Sequence, residues 1–136
     1  MRDLSEQGQT FLDRSGEENT IIYSVPTPLG YRVYISRQRL QHVRDRHRSA
    51  ARRIRDIPQL LAHPDIIVPD YDQPDTHLYY KAYGRRLLAV VVHVHSGRRY
   101  LATMHWDTNI KGLGRKRIIS SDFLYMRGGF KWKKWR

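Results

Sequence analysis

Leu87-Leu-Ala-Val-Val-Val-His-Val-His95, Ser96-Gly97-Arg98 and Tyr100-Leu-Ala-Thr-Met-His-Trp106 form the stretch whose reading decides the fold. Two apolar runs of strand length around a Ser-Gly pair predict an antiparallel hairpin. Strand side chains alternate, so Leu88, Val90, Val92 and Val94 form one apolar face, which should lie under helices, and Ala89, Val91, His93 and His95 form the other. In the following run Tyr100, Ala102, Met104 and Trp106 read as the buried set, leaving Leu101, Thr103 and His105 opposite. Upstream, Leu78-Tyr-Tyr-Lys-Ala-Tyr-Gly84 predicts a neighbouring strand in which Lys81 shares a face with Tyr79 and Tyr83. Ile66-Ile-Val68 predicts a short edge strand stopped by Pro69, and residues 118–126 one more strand.

Nearer the start, residues 21–25 and 31–35 read as strands joined by the turn Pro26-Thr-Pro-Leu-Gly30. Ser36 stands where a helix N-cap belongs. In the helix after it, Leu40, Val43 and His47 share one face at about 100° per residue, and His42 is turned about 140° from His47. A second helix starts near Ser49, carries Ile54, Ile57 and Leu61 on its apolar side, and stops at His63-Pro64. These elements predict one α+β domain over residues 1–136: N-terminal helices packed on a four-stranded, or slightly larger, antiparallel sheet. Residues 1–19 are expected to form an arm, 35–106 the core, and 127–136 a mobile basic and aromatic tail.

A formal charge of +12 on 136 residues must lie on the surface and set up a strongly positive field. Nucleic acid is the commonest partner for such a field; a membrane surface or an acidic protein inhibitor also satisfies it. With no cysteine, disulfides and thiolate metal sites are excluded. No apolar run approaches the roughly 20 residues of a membrane span, and no signal-peptide core is expected at the start, so action in a cytoplasm, the cell's own or a target cell's, is the expectation.

The chemistry-bearing residues point to RNA cleavage. Attack of a 2′-OH on the adjacent phosphate needs a base, an acid and a cation or donor for the phosphorane. Histidine suits both proton roles and needs no cofactor. Lys81, His93, His95, Thr103 and His105 are expected on one open, partly aromatic face, with Tyr79 and Tyr83 beside it. Arg39, Arg46, Arg85, Arg98, Lys111, Arg115 and Lys116 are candidate phosphate contacts, although Arg39 and Arg46 fit a solvated helix face equally well. His47 reads either as a hydrogen-bonded core histidine or as a proton-transfer group, and His42 as exposed or substrate-touching. Two other readings stay open: a non-catalytic RNA- or DNA-binding module, and a metal-dependent hydrolase on His93, His95 and His105, whose strand spacing would suit zinc or iron.

Leu40-Gln-His-Val-Arg-Asp-Arg-His47, Leu60-Leu-Ala-His-Pro-Asp-Ile66, Tyr79-Tyr-Lys81, Val90-Val-Val92 and Leu101-Ala-Thr103 occur in an order and spacing that resembles the phage-associated nuclease domains of the barnase–EndoU–colicin–RelE superfamily. The resemblance spans about half the chain, leaving out the first 30 residues and roughly the last 25. It implies helices on a four-stranded antiparallel sheet and metal-independent endoribonuclease activity, often as a toxin or effector restrained by a cognate antitoxin or immunity protein. By position, His47 and His42 match the helix signature histidines, Lys81 the strand lysine and Thr103 the strand-end threonine. His105, on Thr103's face, joins them from alternation alone.

Overall fold

The computed structural model describes residues 2–114, 118–119 and 122–136. Arg115 and Lys116, two of the candidate phosphate contacts, lie outside the described residues. The strands are β1 (Thr10–Leu12), β2 (Glu18–Pro26), β3 (Arg32–Ser36), β4 (Ile66–Asp70), β5 (Gln73–Tyr83), β6 (Arg86–His95), β7 (Arg98–Asp107) and β8 (Tyr125–Met126). Three short helices, α1 (Arg37–Arg46), α2 (Arg48–Ala51) and α3 (Ile57–Ala62), follow β3.

The strands make one eight-stranded sheet in the order β1-β2-β3-β7-β6-β5-β4-β8. This corrects the expected fold class: the sheet is twice the predicted width, it precedes as well as follows the helices, and it is mixed. The β2–β3 hairpin was legible, but its docking was not. It joins the meander through a parallel β3–β7 contact at one register pair, Tyr34 with Tyr100. The expected N-terminal arm contains β1, whose exposed edge residues carry no apolar alternation to announce it. β4 is not an edge strand, because β5 and β8 flank it. Of residues 118–126, only Tyr125–Met126 is strand among the described positions.

Alternation gives the sheet two apolar faces, and both are covered. On one face Val33, Ile35, Tyr79, Leu88, Val90 and Met104 meet Leu40 and Val43 of α1 and Ile57, Leu60 and Leu61 of α3. On the other, Ile66, Val68, Leu78, Tyr80 and Ala89 are sealed by Ile110, Leu113, Phe130, Trp132 and Trp135. The basic-aromatic tail thus lies against the sheet, and a 2.7 Å Arg127–Asp65 ion pair secures the chain leading into it.

Ser36 caps α1 as its sequence position predicts, its hydroxyl accepting from the Arg39 N–H at 3.2 Å. The Ser96-Gly97 turn has both residues at positive φ, the geometry a two-residue hairpin demands. The face assignment on β7 needs one correction. Val91 pairs with Thr103 but Val92 with Leu101, so Ala102 is an inserted bulge residue. Past the bulge the faces exchange: Leu101 joins the helix-side core, while Tyr100 stands opposite His93.

Candidate active site

The geometry of the site follows from the single β3–β7 pair. α1 leaves β3 directly and packs on β2, β3 and β7 alike, so helix and meander meet along a seam. The β7 bulge opens there. The Arg39 Nε–H donates to the Ala102 carbonyl at 2.8 Å. Arg39 also lies 3.7 Å from Asp13, in the loop between β1 and β2.

Asp13 is buried and accepts from the Ser15 hydroxyl, the Ser15 and Glu17 amides and the Asn19 side chain. Burial pushes its carboxyl pKa up, but these hydrogen bonds outweigh it and hold the group below its ordinary value. Asn19 accepts in turn from the Ser36 hydroxyl. A buried polar chain from Asp13 to the α1 cap therefore fixes the base of Arg39 and leaves its guanidinium at the seam.

Histidines gather beside it. The His42 and His47 ring centroids are 6.0 Å apart, and those of His47 and His105 are 5.8 Å apart. An ideal helix would separate His42 from His47, but His47 is the C-cap of α1, with φ −136° and ψ 60°, and its ring swings out of helical register. Burial, then the charges of His105 and Arg46, hold the His47 imidazole below its ordinary 6.5. Burial, followed by Arg39, His47 and Arg46, does the same to His42. His105 Nε2 lies 3.1 Å from Asp107 Oδ2. With the carboxylate accepting Nε2–H, the ring is fixed in one orientation with Nδ1 free.

A cavity of about 230 Å³ runs along the seam past Arg14, Arg39, His42, His93 and Thr103. Thr103 lines this cavity, and among the described residues its buried hydroxyl finds no hydrogen-bond partner. A neighbouring cavity of about 400 Å³ shares His93 and extends past His105, Asp107 and Lys111.

The expected single face is thereby divided. His42, His47, Thr103 and His105 come together, with Arg39 and Arg46 beside them. Lys81 does not join them: it pairs with Leu88 on the helix side, whereas Thr103 and His105 pair with Val91 and Ala89 on the other side. Tyr79 is buried in the helix-side core, and the Tyr83 hydroxyl donates to Asp56. His95 and Arg98 face each other beside the distal β6–β7 turn, Arg98 stacks on Tyr34, and Arg85 is exposed at the β5–β6 turn. Lys111 is paired with Asp70 at 2.9 Å. Among the described residues, no three His, Asp or Glu side chains converge closely enough to hold a metal ion. Instead His93 shares a 3.0 Å hydrogen bond with Thr76, and His105 turns to Asp107. Asp13, Arg14, Thr76 and Asp107 escaped sequence reasoning. Only Asp107, two residues after His105 on its strand, carried a local signal.

His93 is pushed down to about 4 by burial, then by Arg14 and Arg39; His77, bonded to the Tyr31 hydroxyl, is pushed to about 4 by burial, then by Arg99. Both are neutral when folded at pH 7 but bind protons at about 6.5 when unfolded. Their contribution to stability is complete above pH 6.5 and is lost as pH falls toward 4. Urea unfolding from pH 7 to 4 should show a loss on the order of 2–4 kcal/mol from the pair, discounted for partial exposure. His77→Phe should flatten the profile. An unchanged midpoint over that interval would show both rings to be freely protonated.

A family model described as phage-Barnase-EndoU-ColicinE5/D-RelE like nuclease3 matches residues 15–111. No curated protein and no solved structure matches the chain.

Proposed function

The chain belongs to this phage-Barnase-EndoU-ColicinE5/D-RelE like nuclease family, and on that premise we propose that it is an endoribonuclease cutting by 2′-OH attack. The observation that carries the reading is the juxtaposition of His47 and His105 beside the cavity that Arg39 and Thr103 line, with the Thr103 hydroxyl unpartnered among the described residues. His47, held below 6.5 and so neutral at pH 7, takes the 2′-OH proton. The 2′-oxygen bonds to phosphorus, and the 5′-oxygen leaves with a proton from His105, whose ring Asp107 orients. Arg39 and Thr103 donate to the non-bridging oxygens as charge grows there. Arg46 adds to the positive wall, and His42, held below its ordinary value, lines it as a neutral donor or acceptor. The products are a 2′,3′-cyclic phosphate and a free 5′-OH.

A substrate with 2′-deoxy sugar at the cut site lacks the nucleophile. It should bind as the RNA does and remain uncut, and excess chelator should leave RNA cleavage unchanged. End analysis of a labelled oligonucleotide checks both. Cleavage of the deoxy strand, or a 3′-hydroxyl product, would overturn the mechanism and reopen metal-assisted hydrolysis. The +12 charge further supports action as a toxin or effector, with an acidic antitoxin or immunity protein as the partner that covers the seam.

A further inference from the structure

The segment around His47 carries six arginines in twelve residues, counted from Arg44 to Arg55. Three of them form a stripe. Arg48 opens α2, Arg52 is its C-cap and Arg55 lies in the 3-10 turn Ile54–Asp56; they are spaced four and three residues apart, and all three are exposed. Ala50, Ile54 and Ile57 repeat the same spacing on the inward side and pack into the helix-side core. Core burial thus fixes the outward direction of the guanidiniums.

Among the described residues, none of the three takes part in an ion pair, whereas Arg53 beside them is paired with Asp56 and stacked on Tyr83. Like charges at i and i+4 repel, so the stripe costs the isolated protein stability. An anionic partner reverses that cost. At its far end Arg55 shares a hollow of about 430 Å³ with Arg2, floored by Leu40, Ile54 and Pro58. At its near end Arg48 directly follows His47.

We infer that this stripe is an exosite for the phosphate backbone of the substrate, so that the preferred substrate is an RNA strand longer than the few nucleotides the seam holds. The inference rests on the nuclease reading of His47 and His105. Four helical residues rise about 6 Å, comparable to the step between successive phosphates of one strand. Arginine suits phosphate through its planar fork. A strand whose scissile phosphate lies at His47 needs no detour to reach Arg48. An acidic protein would find no such register, and contact with one is an outcome the test separates.

The variant is Arg48→Gln/Arg52→Gln/Arg55→Gln, which keeps the helix propensity and leaves the seam untouched. On a dinucleoside monophosphate its kcat/KM should stay within about twofold of the parent. On a 20-nucleotide single-stranded RNA it should fall about tenfold or more near 0.15 M salt, and the log–log salt slope should become shallower by about 2, roughly 0.7 for each lost contact. Anisotropy of the same strand in 2′-deoxy form reads the slope without cleavage. Equal losses on both substrates, no loss on the long one, or an unchanged slope with lost inhibition by polyglutamate would each overturn the inference. If the parent protein cuts neither RNA, the nuclease reading fails; a shallower anisotropy slope would then still uphold the stripe.

Discussion

His105→Ala is expected to lower kcat on RNA by about three orders of magnitude while leaving the unfolding midpoint nearly unchanged. The ring is half-buried along the cavity it lines with Asp107, and among the described residues its hydrogen bond to Asp107 ties it to its own strand and not to the core. Its removal deletes a proton donor without deleting packing. His47→Ala should cost a similar factor, and the double variant little more, because the two act in one step. With His47 held below 6.5, the acid limb of the parent kcat/KM profile should fall below pH 6.5, where that ring takes up its proton, and His47→Ala should abolish the limb. A His105→Ala protein that retained most of its turnover would remove the acid–base pair from the mechanism.

Arg39→Met is the second large effect, expected at two to three orders of magnitude in kcat with little change in ground-state RNA affinity. Its guanidinium is held by the Ala102 carbonyl and lies near Asp13, so it is already in place before charge develops. Arg39→Lys keeps the charge but loses the fork, and should recover only part of the rate. Lys81→Met is the informative contrast. Lys81 matches the strand lysine of the resembled domains, but here it pairs with Leu88 on the helix side, away from Thr103 and His105. Its loss should change kcat by no more than about twofold. A Lys81→Met defect exceeding that of Arg39→Met would place the reacting phosphate on the other face of the sheet.

The contrast between these two cations shows where sequence reasoning succeeds and stops. Period two located β5, β6 and β7, and the Ser-Gly turn fixed the pairing of β6 with β7, because strong local patterns encode both. The Ser36 cap was readable for the same reason. The face of Lys81 depended on the register between β5 and β6, which no single strand records. The Ala102 bulge was unreadable too, since an alternating run looks alike with or without one inserted residue. The neighbourhood of His42 and His47 came from the helix ending one residue earlier than the histidine, a boundary that periodicity does not resolve. The sheet's full width escaped because β1 is short and solvent-facing, and because a parallel contact across some 66 residues leaves no trace in either partner. Candidate residue types were therefore readable, and their convergence was not.

That parallel contact has a bearing on how the protein comes to be active. The β4–β7 meander is built from neighbours in sequence and closes short loops, while the β2–β3 hairpin must search for β7 across a long intervening chain. The hairpin and α1 are expected to dock late. His42, His47 and Arg39 arrive with α1, whereas Thr103, His105 and Asp107 wait on the meander. Neither half holds a complete set of proton-transfer groups. On the proposed mechanism, a partly folded chain would therefore be expected to cut nothing until that last tertiary contact forms.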